Sequence, residues 1–212
     1  KSFPVIVELT GNKWAYGNGE VEEAHFGYSI SLGQDFIWVV PPYVNDAGTG
    51  NEVLWWGDEE KTVDYLKKLI PHLVEKYNAD PERIFFAGFS RGSIGDSFIG
   101  LHDEEISKLW CAFISHDHFD GQREWPGTDW GSPFEYYRKS ASERLKRVDG
   151  RDWYLSFNGT VPDGYRGVVE GLGVQDYGNY IYAPVTIASR FPVIPNEWFG
   201  SAHNDCWPAF EI

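Results

Sequence analysis

The sequence predicts an α/β fold with a mainly parallel sheet of about six strands and helices on both faces. Two observations predict it: short, continuously apolar segments recur along the chain, and segments with helical periodicity separate them. Gly and Pro are spread over the 212 residues without a linker, repeat or low-complexity tract, so we expect a single domain over residues 1–212. Active sites in such sheets form beyond the carboxyl ends of the strands, so the residues after each strand are the place to look for function.

The apolar runs predict where the strands lie. They occupy residues 4–9, 35–40, 83–87, 109–115, 153–157 and 191–194. Between the second and third runs, residues 61–77 carry apolar side chains at i, i+3, i+4 spacing, which predicts a long helix that Pro71 should kink. Asp80 and Pro81 are typical of a helix cap followed by a first-turn proline. Further helices are predicted over residues 91–101 and 140–148.

Charge and composition exclude several classes of partner. Lys and Arg number 18 and Asp and Glu 32, giving a net charge of −14, which repels phosphate backbones and anionic lipid. We therefore expect no nucleic-acid partner and no membrane partner, and we expect a monomer. A hydrophobic content of 42%, with 17% aromatic residues, excludes a mainly disordered chain. The chain starts at Lys1 and contains no Met, so we expect that the natural N-terminus has been removed.

A nucleophile motif follows the third predicted strand. The run Gly88-Phe89-Ser90-Arg91-Gly92 fits G-x-S-x-G between a strand and a helix. At such a turn the serine hydroxyl stands above the sheet, and the flanking glycines keep side chains out of the tight bend. The N–H of Arg91 would lie at a helix N-terminus, which favours developing negative charge. The pattern alone is also compatible with a Gly-rich turn capped by serine.

The segment of residues 61–93 resembles the corresponding part of secreted α/β-hydrolase-fold esterases. It is most similar to the poly(3-hydroxybutyrate) depolymerase, feruloyl esterase and acetylxylan esterase group, which share a helix, a Y-N-x-D-P-x-R run and a strand leading into G-x-S-x-G. The resemblance implies an α/β-hydrolase fold that begins at the third strand of the full fold, as in cutinases and small lipases. It also implies a secreted serine esterase.

The resemblance implies a Ser-acid-His order for the catalytic triad. His203 lies in a loop past the last predicted strand, where the family's catalytic histidine resides. Asp163 follows the fifth predicted strand at the place of the family's H-G-T-x-D pattern, with Asn158 replacing the histidine and one extra residue before the aspartate. Asp176, Asp117 and Asp120 stay open as alternative acids.

The oxyanion hole needs two backbone N–H groups. One belongs to Arg91. The other is expected from Asn12, because Thr10-Gly11-Asn12 stands where the family has H-G-x, with Thr10 replacing the histidine. No cofactor is expected. The run from His116 to Asp120 (HDHFD) resembles a metal cluster, but we favour a lid or cleft role for it and expect no metal.

Ten Trp residues suggest an aromatic binding surface as well as a core. Six follow predicted strands and are predicted to bind substrate: Trp14, Trp55, Trp56, Trp125, Trp130 and Trp207. Four lie in or at strands and are predicted to be core: Trp38, Trp110, Trp153 and Trp198. Cys111 and Cys206 either pair or remain two buried thiols.

These features lead to the hypothesis of a serine esterase that acts through an acyl-enzyme on carbohydrate-linked acetyl or feruloyl esters or on polyester. Ser90, His203 and Asp163 would form the triad, and Asn12 and Arg91 the oxyanion hole. Two rival functions stay open. One is a serine peptidase with the same machinery, and the other is a non-catalytic binding protein on the same fold.

Overall fold

The computed structural model describes residues 1–13, 17–119, 134–158 and 163–185. Its strands are β1 (Phe3–Leu9), β2 (Ile37–Val39), β3 (Ala79–Phe89), β4 (Ala112–His116), β5 (Asp152–Asn158) and β6 (Asn179–Val185). Its α-helices are α1 (Phe26–Ser31), α2 (Glu59–Tyr77), α3 (Arg91–Phe98), α4 (Phe134–Leu145) and α5 (Asp163–Gly171). Short 3-10 helices cover Val21–Glu23, Ile106–Leu109 and Lys146–Val148.

The six strands form one sheet in the order β2-β1-β3-β4-β5-β6, and every neighbouring pair is parallel. In the register, Leu9 pairs with Gly88 and Phe89 pairs with His116. The carboxyl ends of β1, β3 and β4 therefore meet along one edge of the sheet, the edge formed by strand ends rather than by an outer strand. The predicted parallel sheet of six strands is confirmed.

Alternating side chains of β1 show why helices cover both faces of the sheet. Val5, Val7 and Leu9 belong to a large core cluster that also contains Leu66 and Ile70 of α2 and Ile94 and Phe98 of α3. Ile6 points the other way and packs with Phe26 and Ile30 of α1. Because side chains alternate along a strand, one continuous apolar run supplies both layers.

The long helix α2 has clear end signals. The Asp58 side chain accepts a hydrogen bond from the Lys61 backbone N–H (3.0 Å), and Asn78 ends the helix in the left-handed conformation at φ 56°. Pro71 lies inside the helix, which continues to Tyr77. None of the helices in the described part of the chain is both long enough and apolar enough to span a membrane.

Several boundaries differ from the sequence prediction. Asp80 and Pro81 do not cap a helix but lie inside β3, where the Asp80 carboxylate accepts from the Glu82 N–H (3.1 Å) and from Arg83 Nε (2.8 Å). These local bonds accompany a register irregularity between β1 and β3. The sequence prediction also missed β6. The last strand that it placed, at residues 191–194, lies outside the described residues.

Two strands are shorter than predicted, and one core assignment is wrong. Strand β2 covers only Ile37–Val39, and β4 begins at Ala112 because a 3-10 helix occupies Ile106–Leu109. Trp110 and Trp153 are buried as predicted. Trp38 is 36% exposed, because it lies on the edge strand, and its indole N–H donates to Glu8 (2.8 Å). Trp198 lies outside the described residues.

Candidate active site

Ser90 occupies a sharp turn between β3 and α3. Its backbone has φ 55° and ψ −115°, a combination that L-residues rarely adopt. Strained backbone of this kind persists only where the surrounding structure enforces it, and it is concentrated at functional sites. The turn places Ser90 at the edge where β1, β3 and β4 end.

The two glycines of the motif make this turn possible. A Cβ on Gly88 would overlap the backbone carbonyl group of Gly92, and a Cβ on Gly92 would overlap the carbonyl oxygen of Leu9. Neither position has room for a methyl group. The spacing G-x-S-x-G therefore follows from two backbone-to-backbone contacts, one within the turn and one with β1.

Hydrogen bonds tie the turn to the end of β4. The Ser90 N–H donates to the His116 carbonyl (3.1 Å). The buried Ser93 hydroxyl lies 2.9 Å from the Gly88 carbonyl and 2.5 Å from the His116 carbonyl. The turn is thereby fixed to its neighbouring strand.

The loop after β1 lies directly beside Ser90. A Cβ built on Gly11 would be 3.5 Å from Ser90 Cβ and 3.1 Å from the Phe89 ring. Thr10 is buried, and Asn12 is half-buried. The structure thus brings Thr10-Gly11-Asn12, the predicted oxyanion loop, against the predicted nucleophile.

The Arg91 side chain is buried beneath this loop, with 1% of its surface exposed. Its guanidinium donates to the Gly11 carbonyl (2.9 Å), the Trp55 carbonyl (2.7 Å) and the Glu52 carbonyl (3.0 Å). Burial lowers the pKa of Arg91 to about 10, so the group still carries its charge at neutral pH. The motif indicates a role only for the Arg91 backbone N–H, and no sequence signal points to the side chain.

The neighbouring tryptophans have different positions. Trp55 is half-buried, and its backbone φ is 50°. Its backbone N–H donates to the Asn12 side-chain oxygen (2.7 Å). Trp56 is 2% exposed and packs on Phe98, with ring centroids 4.7 Å apart. Trp55 lies beside the predicted oxyanion loop, whereas the described surroundings of Trp56 are core.

His116 is buried at the end of β4 rather than directed outward. Its Nδ1 lies 2.8 Å from the Ser156 hydroxyl oxygen, and its ring lies against Phe89 and Phe26, with centroids 6.1 and 5.9 Å away. His118 is half-buried. Among the described residues, no group of three or more His, Cys, Asp or Glu side chains could hold a metal ion.

The topology separates the candidate acids. Asp117 directly follows β4 at φ 70°, and its N–H donates to the Ser156 carbonyl (2.8 Å), so it lies at the edge that carries Ser90. Asp163 is the first residue of α5, which begins shortly after β5 ends. Asp176 is exposed and precedes β6. Because the strands are parallel, Asp176 lies at the opposite edge and cannot serve the site of Ser90.

Other predicted site residues fall outside the described residues. They are His203, Asp120, Trp14, Trp125, Trp130 and Trp207. Cys206 lies outside them too, whereas Cys111 is half-buried just before β4. The side chain of Asp163 is likewise not described.

Two buried carboxyl groups near the site were not predicted. Glu8 on β1 accepts from the N–H groups of Phe26 (3.0 Å) and Gly27 (2.7 Å), and burial raises its pKa to about 7. Asp96 on α3 accepts from the Ser115 hydroxyl (2.5 Å), and burial holds its pKa well above its usual range. Both lie in the layers that support the turn at Ser90.

Solved structures resemble this architecture. No family model matches the chain, and no curated protein does. An S-formylglutathione hydrolase from Agrobacterium tumefaciens superposes with a TM-score of 0.56 at 14% identity, over 87% of this chain and 76% of that one. The esterase Est22 gives 0.57 at 18% identity, over 87% and 62%.

An uncharacterized protein from Bacillus cereus ATCC 10987 gives a TM-score of 0.53 at 14% identity. The chain has an α/β-hydrolase fold. The alignment covers 87% of this chain but 53% of the Bacillus cereus protein, so the chain spans about half the length of that relative. The α/β-hydrolase fold fixes the architecture, whereas function depends on the site that the fold carries.

Proposed function

We propose that this chain is a carboxylic ester hydrolase with Ser90 as its nucleophile. The observation that carries the proposal is the backbone of Ser90 at φ 55°, ψ −115°, held between two glycines that leave no room for a side chain. A strained serine at a strand-to-helix turn presents its hydroxyl above the sheet. That the solved neighbours include proteins named as a hydrolase and an esterase supports the same chemistry.

In the proposed reaction Ser90 attacks the ester carbonyl, and His203 takes the serine proton and passes it to the leaving alcohol. Asp163 orients the imidazole, with Asp117 and Asp120 as the remaining alternatives. The N–H groups of Asn12 and Arg91 stabilise the tetrahedral oxyanion. Water then hydrolyses the acyl-enzyme, with His203 again acting as the base.

The proposed substrates are carbohydrate-linked acetyl or feruloyl esters, or a polyester, met outside the cell. The support is the resemblance of residues 61–93 to secreted esterases, together with a half-buried Trp55 beside the oxyanion loop. An aromatic face at that position suits a sugar ring, a feruloyl group or a polyester chain. Trp14, Trp125, Trp130 and Trp207 are proposed to extend this surface. Trp56 is omitted because it is packed in the core.

A fluorophosphonate probe tests the nucleophile. The wild-type protein should be labelled, with the adduct located on Ser90 by peptide mass spectrometry, and Ser90→Ala should stay unlabelled. Ser107→Ala is the matched control, because this buried serine donates to the Glu104 carbonyl (3.2 Å) and precedes β4, on the side of the sheet opposite to Ser90. It should be labelled like the wild type.

Activity on acetylated xylan, methyl ferulate, short p-nitrophenyl esters and a polyester then ranks the substrate classes. In the same assays Asp163→Asn and Asp117→Asn separate the two acids, since loss of the orienting carboxylate lowers kcat by about 10⁴-fold in a serine triad. Absence of both labelling and ester hydrolysis in the wild type would leave a binding protein as the better proposal. Equal labelling of Ser90→Ala would place the nucleophile elsewhere.

A further inference from the structure

We propose that the guanidinium of Arg91 is a positioning group for the oxyanion hole. It holds the Gly11–Asn12 peptide in the orientation that turns the Asn12 N–H toward the reacting oxygen. The inference rests on the proposed function and adds to it a residue whose side chain acts through the backbone of another loop.

The Arg91 side chain binds two loops at once. Nε donates to the Thr10 carbonyl (3.4 Å), and Nη1 donates to the carbonyls of Glu52 (3.0 Å) and Trp55 (2.7 Å). Nη2 donates to the Thr10 hydroxyl (3.1 Å) and the Gly11 carbonyl (2.9 Å), with the Gly19 carbonyl farther away at 3.4 Å. A guanidinium has five N–H donors, so these bonds occupy all of them.

The geometry of the peptide unit relates this clamp to the reacting oxygen. The described backbone contains no cis peptide bond, and in a trans peptide the C=O and N–H point in opposite directions. Because Nη2 binds the Gly11 carbonyl beneath the loop, the Asn12 N–H faces away from the buried guanidinium. Gly11 itself lies against Ser90. The N–H of Asn12 is therefore available on the side of the nucleophile.

Arg91 also prevents an alternative orientation of the loop. Glycine allows the backbone to rotate freely, so the Gly11–Asn12 peptide could flip and direct its carbonyl oxygen at the site. A flip would break the bond to Nη2 and turn an N–H toward a buried cation. An oxyanion hole works by having its donors fixed in place before reaction, so a flipped carbonyl would oppose the developing charge.

The second anchor of the loop depends on the same arginine. The Asn12 side chain accepts from the Trp55 N–H, and the Trp55 carbonyl accepts from Arg91. The guanidinium also lies over the Tyr43 ring, 4.0 Å from its centroid. The oxygens that receive its hydrogen bonds in the described part of the chain are carbonyl or hydroxyl oxygens. The hydrogen-bond acceptors of this cation are thus neutral, and the carboxylates of Glu52 and Glu20 act on it only through their charge.

Arg91→Lys tests the proposal, since a lysine keeps the charge but cannot bind both loops at once. We expect kcat on a p-nitrophenyl ester to fall about 100-fold, the loss typical of one oxyanion donor, with KM changed less than about threefold. A trifluoromethyl ketone, whose hemiketal mimics the tetrahedral intermediate, should lose affinity by the same factor as kcat/KM. An ether analogue of the ester, which has no carbonyl oxygen to enter the oxyanion hole, should bind as before.

Arg151→Lys is the matched control. Arg151 also donates to backbone carbonyls, including that of Trp110 (2.9 Å), but it precedes β5 at the opposite edge of the sheet. The Arg151→Lys substitution should lower the melting temperature and leave kcat unchanged. Should Arg91→Lys fail to fold, Thr10→Val removes one acceptor of Nη2 with little change of shape and should lower kcat about tenfold, again without a change in KM.

The outcomes separate this inference from the proposed function. A wild type that neither labels nor hydrolyses esters contradicts the function itself. If the wild type is active and Arg91→Lys or Thr10→Val folds with unchanged kcat, the positioning role alone is overturned. Equal losses of affinity for the ketone and for the ether analogue also overturn that role, because general loosening of the site would explain both.

Discussion

The backbone at Ser90 stores strain that its neighbours must offset. Residues in such sparsely populated conformations cost on the order of 1–3 kcal/mol each. At φ 55° and ψ −115° the bond from the Ser90 N–H to the His116 carbonyl helps to offset the cost, and the missing side chain of Gly92 lets the turn approach Leu9. The absence of a side chain at two positions is thus as specific a requirement as the serine hydroxyl.

Gly92→Ala should damage both stability and activity. The new methyl group would overlap the Leu9 carbonyl, so α3 or β1 must shift, and we expect a loss of about 1–3 kcal/mol in the free energy of unfolding. Gly167→Ala is the matched control in α5, since nothing lies within 4 Å of its added Cβ, and it should be neutral or stabilising by about 0.4–1 kcal/mol. Urea denaturation and kcat measure both variants. Equal stability of the two variants would contradict a clash at Gly92.

The part of the site that the sequence can predict consists of residue types whose chemistry is recognisable. Ser90, its glycines and the loop at Thr10–Gly11–Asn12 carry such signatures and lie together. The Arg91 clamp cannot be predicted, because its partners are mostly backbone carbonyls up to 81 positions away, and a carbonyl carries no residue signature. The burial of Trp56 escapes prediction for a related reason: whether a loop tryptophan turns inward depends on the packing of Phe98.

Helix α3 and strand β4 meet around a buried carboxyl group. Asp96 is fully buried. One carboxyl oxygen accepts from the Ser115 hydroxyl, and the other has no hydrogen-bond partner among the described residues. Burial raises the pKa of Asp96, a hydrogen bond from Ser115 lowers it, and the charge of Glu8 raises it further. The contact between these two elements is therefore most stable when the carboxyl group is protonated.

Asp96→Asn should remove a pH-dependent loss of stability. Above the ordinary aspartate pKa the unfolded chain releases this proton while the folded chain keeps it, so the free energy of unfolding falls as pH rises, by about 1.4 kcal/mol per pH unit until the folded pKa is reached. Asn keeps the neutral shape and does not titrate. Urea denaturation of both proteins from pH 5 to pH 8 should show the stability of the variant, relative to the wild type, increasing with pH. Parallel curves would mean that Asp96 ionises in the folded state as it does in the unfolded chain.

The elements that the sequence predicts well are those with a clear apolar pattern, either continuous in a buried strand or periodic along one face of a helix. Strands β1 and β5 and helix α2 carry such patterns and lie close to their predicted positions, whereas β3 contains its predicted run but begins four residues earlier, at Ala79. Strand β6 forms an edge of the described sheet, with Ile181 40% exposed, and Pro184 interrupts its apolar run, as is typical of an edge strand rather than a central one. The carboxylate of Asp80 mimics a cap because it binds the Glu82 N–H, although the backbone there is extended.

Across the whole molecule, the parallel sheet assembles the site from distant parts of the chain. The ends of β1, β3 and β4 bring Gly11, Ser90 and Asp117 to one edge, and the same rule removes Asp176. The sequence supports this reasoning because every strand direction follows from the alternation of strands and helices. The order of the strands within the sheet does not follow from it, since pairing depends on which apolar faces fit each other.

The net charge of −14 should influence which esters reach this edge. A protein of one dominant sign repels ligands of that sign, and the effect weakens as salt shortens the Debye length from about 30 Å at 0.01 M to about 8 Å at 0.15 M. Over that range we expect kcat/KM for mono(p-nitrophenyl) succinate, an anionic ester, to rise several-fold. The value for neutral p-nitrophenyl acetate should stay constant and serves as the control. A flat response for the anionic ester would show that the acidic residues lie too far from the site to act on it.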